Sequence, residues 1–187
     1  MKRLLFILLT AFVIFNQLIF AAEKKFIYKE TTGKTRINSE WRIKPQDEGY
    51  SIIAENSNEY HHVFCNHNYA TFSWEFKNAS LKTGLLVKRD GNYLKVNGKF
   101  KNKLIKKKYE IDHLPWFQFI EVSLSDFVHS EKEKIEFWII QPNNMKLYKM
   151  VAIKQKTETI YLNGQDVEAL QLKVTLPGFA SLFWSSK

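Results

Sequence analysis

I-E-F-W-I-I-Q-P-N-N-M-K-L-Y-K-M-V-A-I-K-Q-K-T-E-T-I-Y-L-N-G-Q-D-V-E-A-L-Q-L-K-V-T-L, Ile135 to Leu176, reads as three successive antiparallel strands. Pro142-Asn143-Asn144 marks one turn and Asn163-Gly164 the other. Asn-Gly between β-rich runs is a strong hairpin signal, because both residues tolerate the positive φ of a type I′ turn. A two-residue loop there pairs Ile153 with Val174 and Val151 with Leu176. That register sets Leu170, Leu172 and Val174 on one face and Gln171, Lys173 and Thr175 on the other. A mainly β protein with one buried face follows.

Working upstream, period-two alternation recurs. Phe26 to Thr31 and Thr35 to Ile43 read as strands, with Ile37, Ser39, Trp41 and Ile43 sharing a face. Tyr50 to Glu55 follows the loop Pro45 to Gly49. In Tyr69 to Lys77, Phe72, Trp74 and Phe76 alternate with Ser73 and Glu75. A hairpin around Asp90-Gly91 pairs Val87 with Leu94 and Leu85 with Val96, and Asn97-Gly98 adds a turn signal behind it. Lys103 to Ile111, crowded with lysine, suits an edge strand, where charge discourages pairing with other chains. Pro115 to Val128 is the helical candidate, with Trp116, Ile120, Leu124 and Phe127 recurring at helical spacing.

The amino terminus is M-K-R followed by an apolar run from Leu4 to Phe15, then Asn16-Gln17 and L-I-F-A-A. A basic start, a short apolar segment and small residues at its end predict a secretory signal peptide, residues 1–21. Cleavage after Ala21 suits the preceding residues better than cleavage after Ala22. Asn16 and Gln17 interrupt the run before the ~20 apolar residues of a spanning helix. Residues 22–187 then form one β-rich domain, exported to the periplasm or beyond. At the other end, the aromatic run F-A-S-L-F-W-S-S-K stops almost at once, which reads either as a segment folding back onto the first strands or, the favoured reading, as the shortened form of a longer chain.

The chain carries 28 Lys and Arg against 19 Asp and Glu, with a single Cys. One Cys excludes an internal disulfide framework. An exported chain rarely meets nucleic acid, so the basic balance points instead to solubility or to anionic lipid headgroups. Lys99, Lys101, Lys103, Lys106, Lys107 and Lys108 concentrate that charge, either as a patch for an anionic membrane or as a protected edge.

Signals for chemistry are sparse. If His61 to His67 is a strand, His61, Cys65 and His67 share a face, but His61 and Cys65 would stand ~13 Å apart, beyond the reach of one zinc ion. No metal, cofactor or catalytic residue is therefore assigned, and an enzyme is not expected. Asp112-His113 and His129-Ser130 are isolated pairs without a strained Gly-x-Ser-x-Gly elbow. Asn78-Ala79-Ser80 matches a glycosylation acceptor, a three-residue pattern of low specificity.

The aromatic faces say more. They supply more apolar surface than one sheet face must hide, and two outcomes stand open: a filled core, or an apolar cavity for an acyl chain. In the second, Phe72, Trp74, Phe76, Trp116, Ile120, Trp138 and Trp184 line the site.

The order of these parts, with L-P-W-F-Q-F-I before a helix and T-E-T-I-Y-L-N-G-Q-D-V-E-A-L-Q-L-K-V before a Phe/Trp segment, resembles an uncharacterised group of bacterial envelope proteins. These are similar in architecture to the periplasmic lipoprotein carriers of Gram-negative cells. The resemblance implies a single curved antiparallel sheet, a half-barrel, with one helix packed on its concave face. It also implies a non-enzymatic binding protein for a lipid or lipidated peptide. The alternative is a scaffold protein that binds another envelope protein through a sheet edge.

Overall fold

The computed structural model describes residues 23–32, 35–162 and 164–177. The signal-peptide reading, the carboxy-terminal aromatic run and Trp184 lie outside them. Strands β1 (Lys24–Thr32), β2 (Thr35–Gln46), β3 (Gly49–Glu55), β4 (Glu59–Cys65), β5 (Thr71–Asn78), β6 (Thr83–Asp90), β7 (Tyr93–Phe100) and β8 (Lys103–Glu110) come first. Helices α1 (Ile120–Ser123) and α2 (Ser125–His129) follow, then β9 (Lys134–Gln141), β10 (Lys146–Leu162) and β11 (Gln165–Thr175). The first eight strands form one antiparallel meander in sequence order, and β11-β10-β9 form a second sheet.

This corrects the expectation of one curved sheet. Neither sheet closes or curls into a half-barrel, so the likeness to the lipoprotein carriers does not hold. The break has a physical cause in the crossing segment. After β8 the chain runs back across the strand ends. Ile111 donates its N–H to Asn92 O at 2.8 Å, the Arg89 guanidinium reaches Leu114 O at 3.2 Å, and Thr71 N–H meets Trp116 O at 2.8 Å. Trp116 then bridges Trp138 in parallel, with Phe117 N–H to Trp138 O and Trp138 N–H to Pro115 O, each 2.8 Å. The crossing segment thus satisfies the backbone of β9, which pairs with β10 rather than extending the large sheet.

The β9 sequence K-I-E-F-W-I-I-Q is apolar on both faces for a reason. Trp138 and Ile140 join the large-sheet cluster with Trp74, Phe76, Leu85, Val87, Leu94 and Val96. Phe137 and Ile135 face the other way, into a second cluster with Phe117, Leu124, Phe127 and Ala152. A strand covered on both sides loses the polar alternation of a one-sided strand.

The expected single helix is also corrected. Trp116 to Phe119 lies outside any helix, and the helices α1 and α2 are one turn each. Trp116, Phe117 and Phe119 are all buried, wedged between two clusters, and that burial mimics the spacing of an amphipathic helix. Leu124 and Phe127 cover Phe137 and Ala152 of the small sheet, while Phe119 and Val122 reach the large one.

Registers show how local turn chemistry acts. From Leu162↔Gln165 to Thr157↔Leu170 the β10–β11 pairing follows the expected Asn-Gly loop, and a bulge between Lys154 and Thr157 then shifts it by one, to Ala152↔Val174. The expected Ile153–Val174 pair is displaced by that bulge. In the β6–β7 hairpin the loop is Gly91-Asn92, closing on Asp90↔Tyr93, so Val87 meets Val96. Gly91, at φ 57°, takes the first central position of the turn. The shift of two leaves Leu85, Val87, Leu94 and Val96 on the expected buried face. Asn97-Gly98 lies inside β7 and makes no turn; Lys101-Asn102, at φ 48° and 65°, turns the chain into β8 instead.

Two ribbons outrun their sheets. Thr157 to Leu162 of β10 pairs only with β11, and Thr35 to Ser39 of β2 only with β1. On the former, Tyr161 is 76% exposed, with Ile160 and Val167 beside it.

Candidate functional site

The aromatic residues expected to line a cavity divide among several places. Trp74, Phe76 and Trp116 are each 0% exposed in one packed cluster, and Trp138 is half-buried against it. The Trp138 indole donates to Asp112 Oδ1 at 2.8 Å. Phe72 sits on the outer face of the large sheet, 40% exposed, its ring 6.3 Å from Phe64. Ile120 is at the rim of a smaller opening beside Phe119 and Glu121.

The open space lies elsewhere, around the Asn66–Ala70 loop between β4 and β5. Asn66 builds this loop. Its side-chain oxygen accepts the N–H of Asn68 at 3.0 Å and of Ala70 at 2.9 Å. Its backbone N–H meets Ala70 O at 3.0 Å, and its carbonyl takes the Tyr69 N–H at 2.9 Å. Tyr69 is held at φ 57°, unusual for a bulky residue. Such a conformation costs about 1–3 kcal/mol and persists where surrounding bonds over-determine it. Ser123 on α1 adds another tie, its hydroxyl donating to Tyr69 O at 3.2 Å.

The strained backbone aims the Tyr69 ring flat against Tyr50, with centroids 4.8 Å apart and planes 6° apart. His67 stands edge-on to Tyr50 at 5.9 Å. These rings form one wall of a cleft of about 680 Å³, completed by Phe26, Ile43, Pro45 and Val122, with Lys24, His67, Glu121 and Ser125 among its polar groups. A second cleft of about 780 Å³ lies across the same loop, floored by Ala70, Leu114, Pro115, Phe117, Phe127 and Ile135. Both fall in the size range of small-molecule sites.

Burial holds two protons in this region. The Cys65 thiol is pushed up to about 12 by desolvation, and the Tyr69 phenol is pushed up to about 12 by desolvation and by Tyr50 beside it. Folding therefore retains protons that the unfolded chain releases, which stabilises the native state below about pH 9. That contribution is lost as pH rises through 12. The chemical-denaturation midpoint should hold from pH 7 to 9 and fall above, and Cys65→Val should flatten part of the fall; an unchanged slope in Cys65→Val would exclude the thiol as a cause.

The other expected groups serve structure. Cys65 is buried, while His67 lies beyond the end of β4 with Nε2 3.3 Å from Asp47 O, so the two do not converge. His61 Nδ1 accepts the Trp74 indole N–H at 3.3 Å, and Nε2 is 3.6 Å from Glu59. Among the described residues no group of three or more His, Cys, Asp or Glu could hold a metal ion. Asp112 is held down to about 2, chiefly by the Trp138 indole, and also accepts Leu114 N–H and Lys149. His113 and His129 are exposed. The Asn78 amide is buried and donates to Glu59 Oε1 at 2.7 Å, which engages the nitrogen a glycan would need.

The pairing of Tyr50 with Tyr69 was not legible beforehand; Asn66-His67-Asn68 was the only local signal, as turn chemistry. Compared with known proteins, the chain matches no family model, no curated protein and no solved structure.

Proposed function

We propose that the protein is a non-enzymatic binding module for a single-chain amphiphile, whose aliphatic part lies in the cleft between Tyr50, Tyr69, Phe26, Ile43 and Val122. The observation that carries this reading is the Tyr50–Tyr69 wall, held by a strained backbone beside about 680 Å³ of open space. An apolar wall with a few polar groups around it is the usual composition of a small-molecule site. Lys24, His67, Glu121 and Ser125 would meet the head group. Ile43, Tyr50, Tyr69 and Val122 pack against the buried cluster around Trp74 and Trp116, and pre-organised walls lower the entropy cost of binding.

Displacement of a fluorescent fatty-acid probe by dodecanoate tests the reading. Ile43→Trp, which fills the cleft, should weaken probe binding by at least about tenfold, and Tyr69→Ala should weaken it by a similar factor, since each anchor is worth ~1.5–3 kcal/mol. Phe72→Ala, on the outer face, should leave it unchanged. Equal binding by Ile43→Trp and the unaltered protein would exclude this cleft.

A further inference from the structure

The outer face of the large sheet carries charge in an order that folding alone disfavours. Lys88 pairs directly with Lys95, and Lys95 with Lys108, so three exposed ammonium groups stand in one rung across β6, β7 and β8. Like charges directly opposite on neighbouring strands are destabilising. The next rung reads Leu86–Asn97–Lys106 and the one after Gly84–Lys99–Leu104.

Partial relief comes from Asp90, which pairs with Lys95, and from the Tyr93 ring, 3.4 Å below the Lys108 ammonium. Glu110 lies opposite Tyr93 at the end of the sheet, and Glu75 is paired with Lys77 at 2.7 Å. Lys88, Lys99 and Lys106 have no such acid opposite them in these rungs. Apolar groups interleave with this charge: Leu104 is 86% exposed and Leu86 40%. Towards β4 the same face continues as a stripe of rings, Tyr60, His62, Phe64 and Phe72, each within 6.3 Å of the next.

Of the lysines expected to form a patch, Lys99, Lys106 and Lys108 are on this face. Lys107 alternates to the other side with Ile105 and Tyr109, which pack on the core. An edge strand with an inward lysine resists strand addition, so the basic surface is suited to a partner that meets it face-on.

We propose that this face rests on an anionic lipid bilayer, with Lys88, Lys95, Lys99, Lys106 and Lys108 over the headgroups and Leu86, Leu104, Phe64 and Phe72 at the interface. Charge complementarity favours that occupant: each lysine near an anionic surface adds an attraction within a Debye length, and aromatic rings favour the headgroup level. The proposal is independent of the cleft.

Flotation of the full chain with vesicles tests it. The readout is the excess binding to phosphatidylglycerol/phosphatidylcholine vesicles over phosphatidylcholine alone, so any contribution of the apolar amino-terminal stretch cancels. The combined Lys88→Gln, Lys106→Gln, Lys108→Gln variant should lose that excess by about a hundredfold. Lys146→Gln, Lys156→Gln, Lys173→Gln, with the same change in net charge on the small sheet, should retain it. No excess in the unaltered protein, or equal losses in both triple variants, would overturn the proposal.

Discussion

Replacing Trp116 by alanine is expected to lower the free energy of unfolding by about 3–5 kcal/mol, the range for a fully buried aromatic. The side chain is 0% exposed, and its indole N–H donates to Gln118 Oε1 at 3.0 Å. Gln118 in turn donates to Ile140 O at 2.9 Å. Truncation therefore opens a cavity at the junction of the two sheets and removes one of Gln118's buried partners, which adds its own penalty. Guanidinium unfolding gives the comparison. Phe72→Ala, on the outer face, should cost ~1 kcal/mol at most. Similar losses for the two would mean that Trp116 is not the seal between the sheets.

Gly49→Ala should be nearly as damaging, by about 3 kcal/mol or more. Gly49 opens β3 at φ +146°, a conformation that side-chain-bearing residues rarely adopt. An added Cβ would stand 2.0 Å from Cys65 O and 2.6 Å from the Asn66 backbone. These are backbone atoms at the root of the loop that orients Tyr69, so the strain passes into the cleft wall. The thermal midpoint should drop, and the Tyr50–Tyr69 stacking should weaken with it. A variant with unchanged stability would show that this close approach is relaxed in solution.

Much of the strand order was readable because it depends on neighbours in sequence. Gly91, Asn163-Gly164 and the alternation through Leu85, Val87, Leu94 and Val96 each act over a few residues, and β8 takes the edge its lysines suited. What failed depends on distant contacts. The separation into two sheets rests on bonds from Thr71 and Trp138 to the segment around Trp116, which no local pattern announces. The same segment has the pattern of a helix because residues buried on both sides carry apolar side chains at every spacing. Asn97-Gly98 has the pattern of a turn, yet Gly98 is needed where the β6 backbone passes: a Cβ there would lie 2.3 Å from Gly84 O.

The candidate site was less legible still. Aromatic content pointed to Trp74 and Trp116, and these are core. The open cleft instead joins Phe26, Ile43, Tyr50, Tyr69 and Val122, drawn from β1, β2, β3, the β4–β5 loop and α1. Its key orientation comes from one positive φ at Tyr69, set by the Asn66 bonds rather than by the tyrosine.

Amide and methyl chemical shifts recorded on adding dodecanoate below its micellar concentration test the account most directly. Saturable changes confined to Ile43, Tyr50, Tyr69, Val122 and their neighbours, with the methyls of Val87, Leu94 and Val96 undisturbed, are the predicted result. No saturable change, or changes centred on the Trp74–Trp116 cluster, would contradict it.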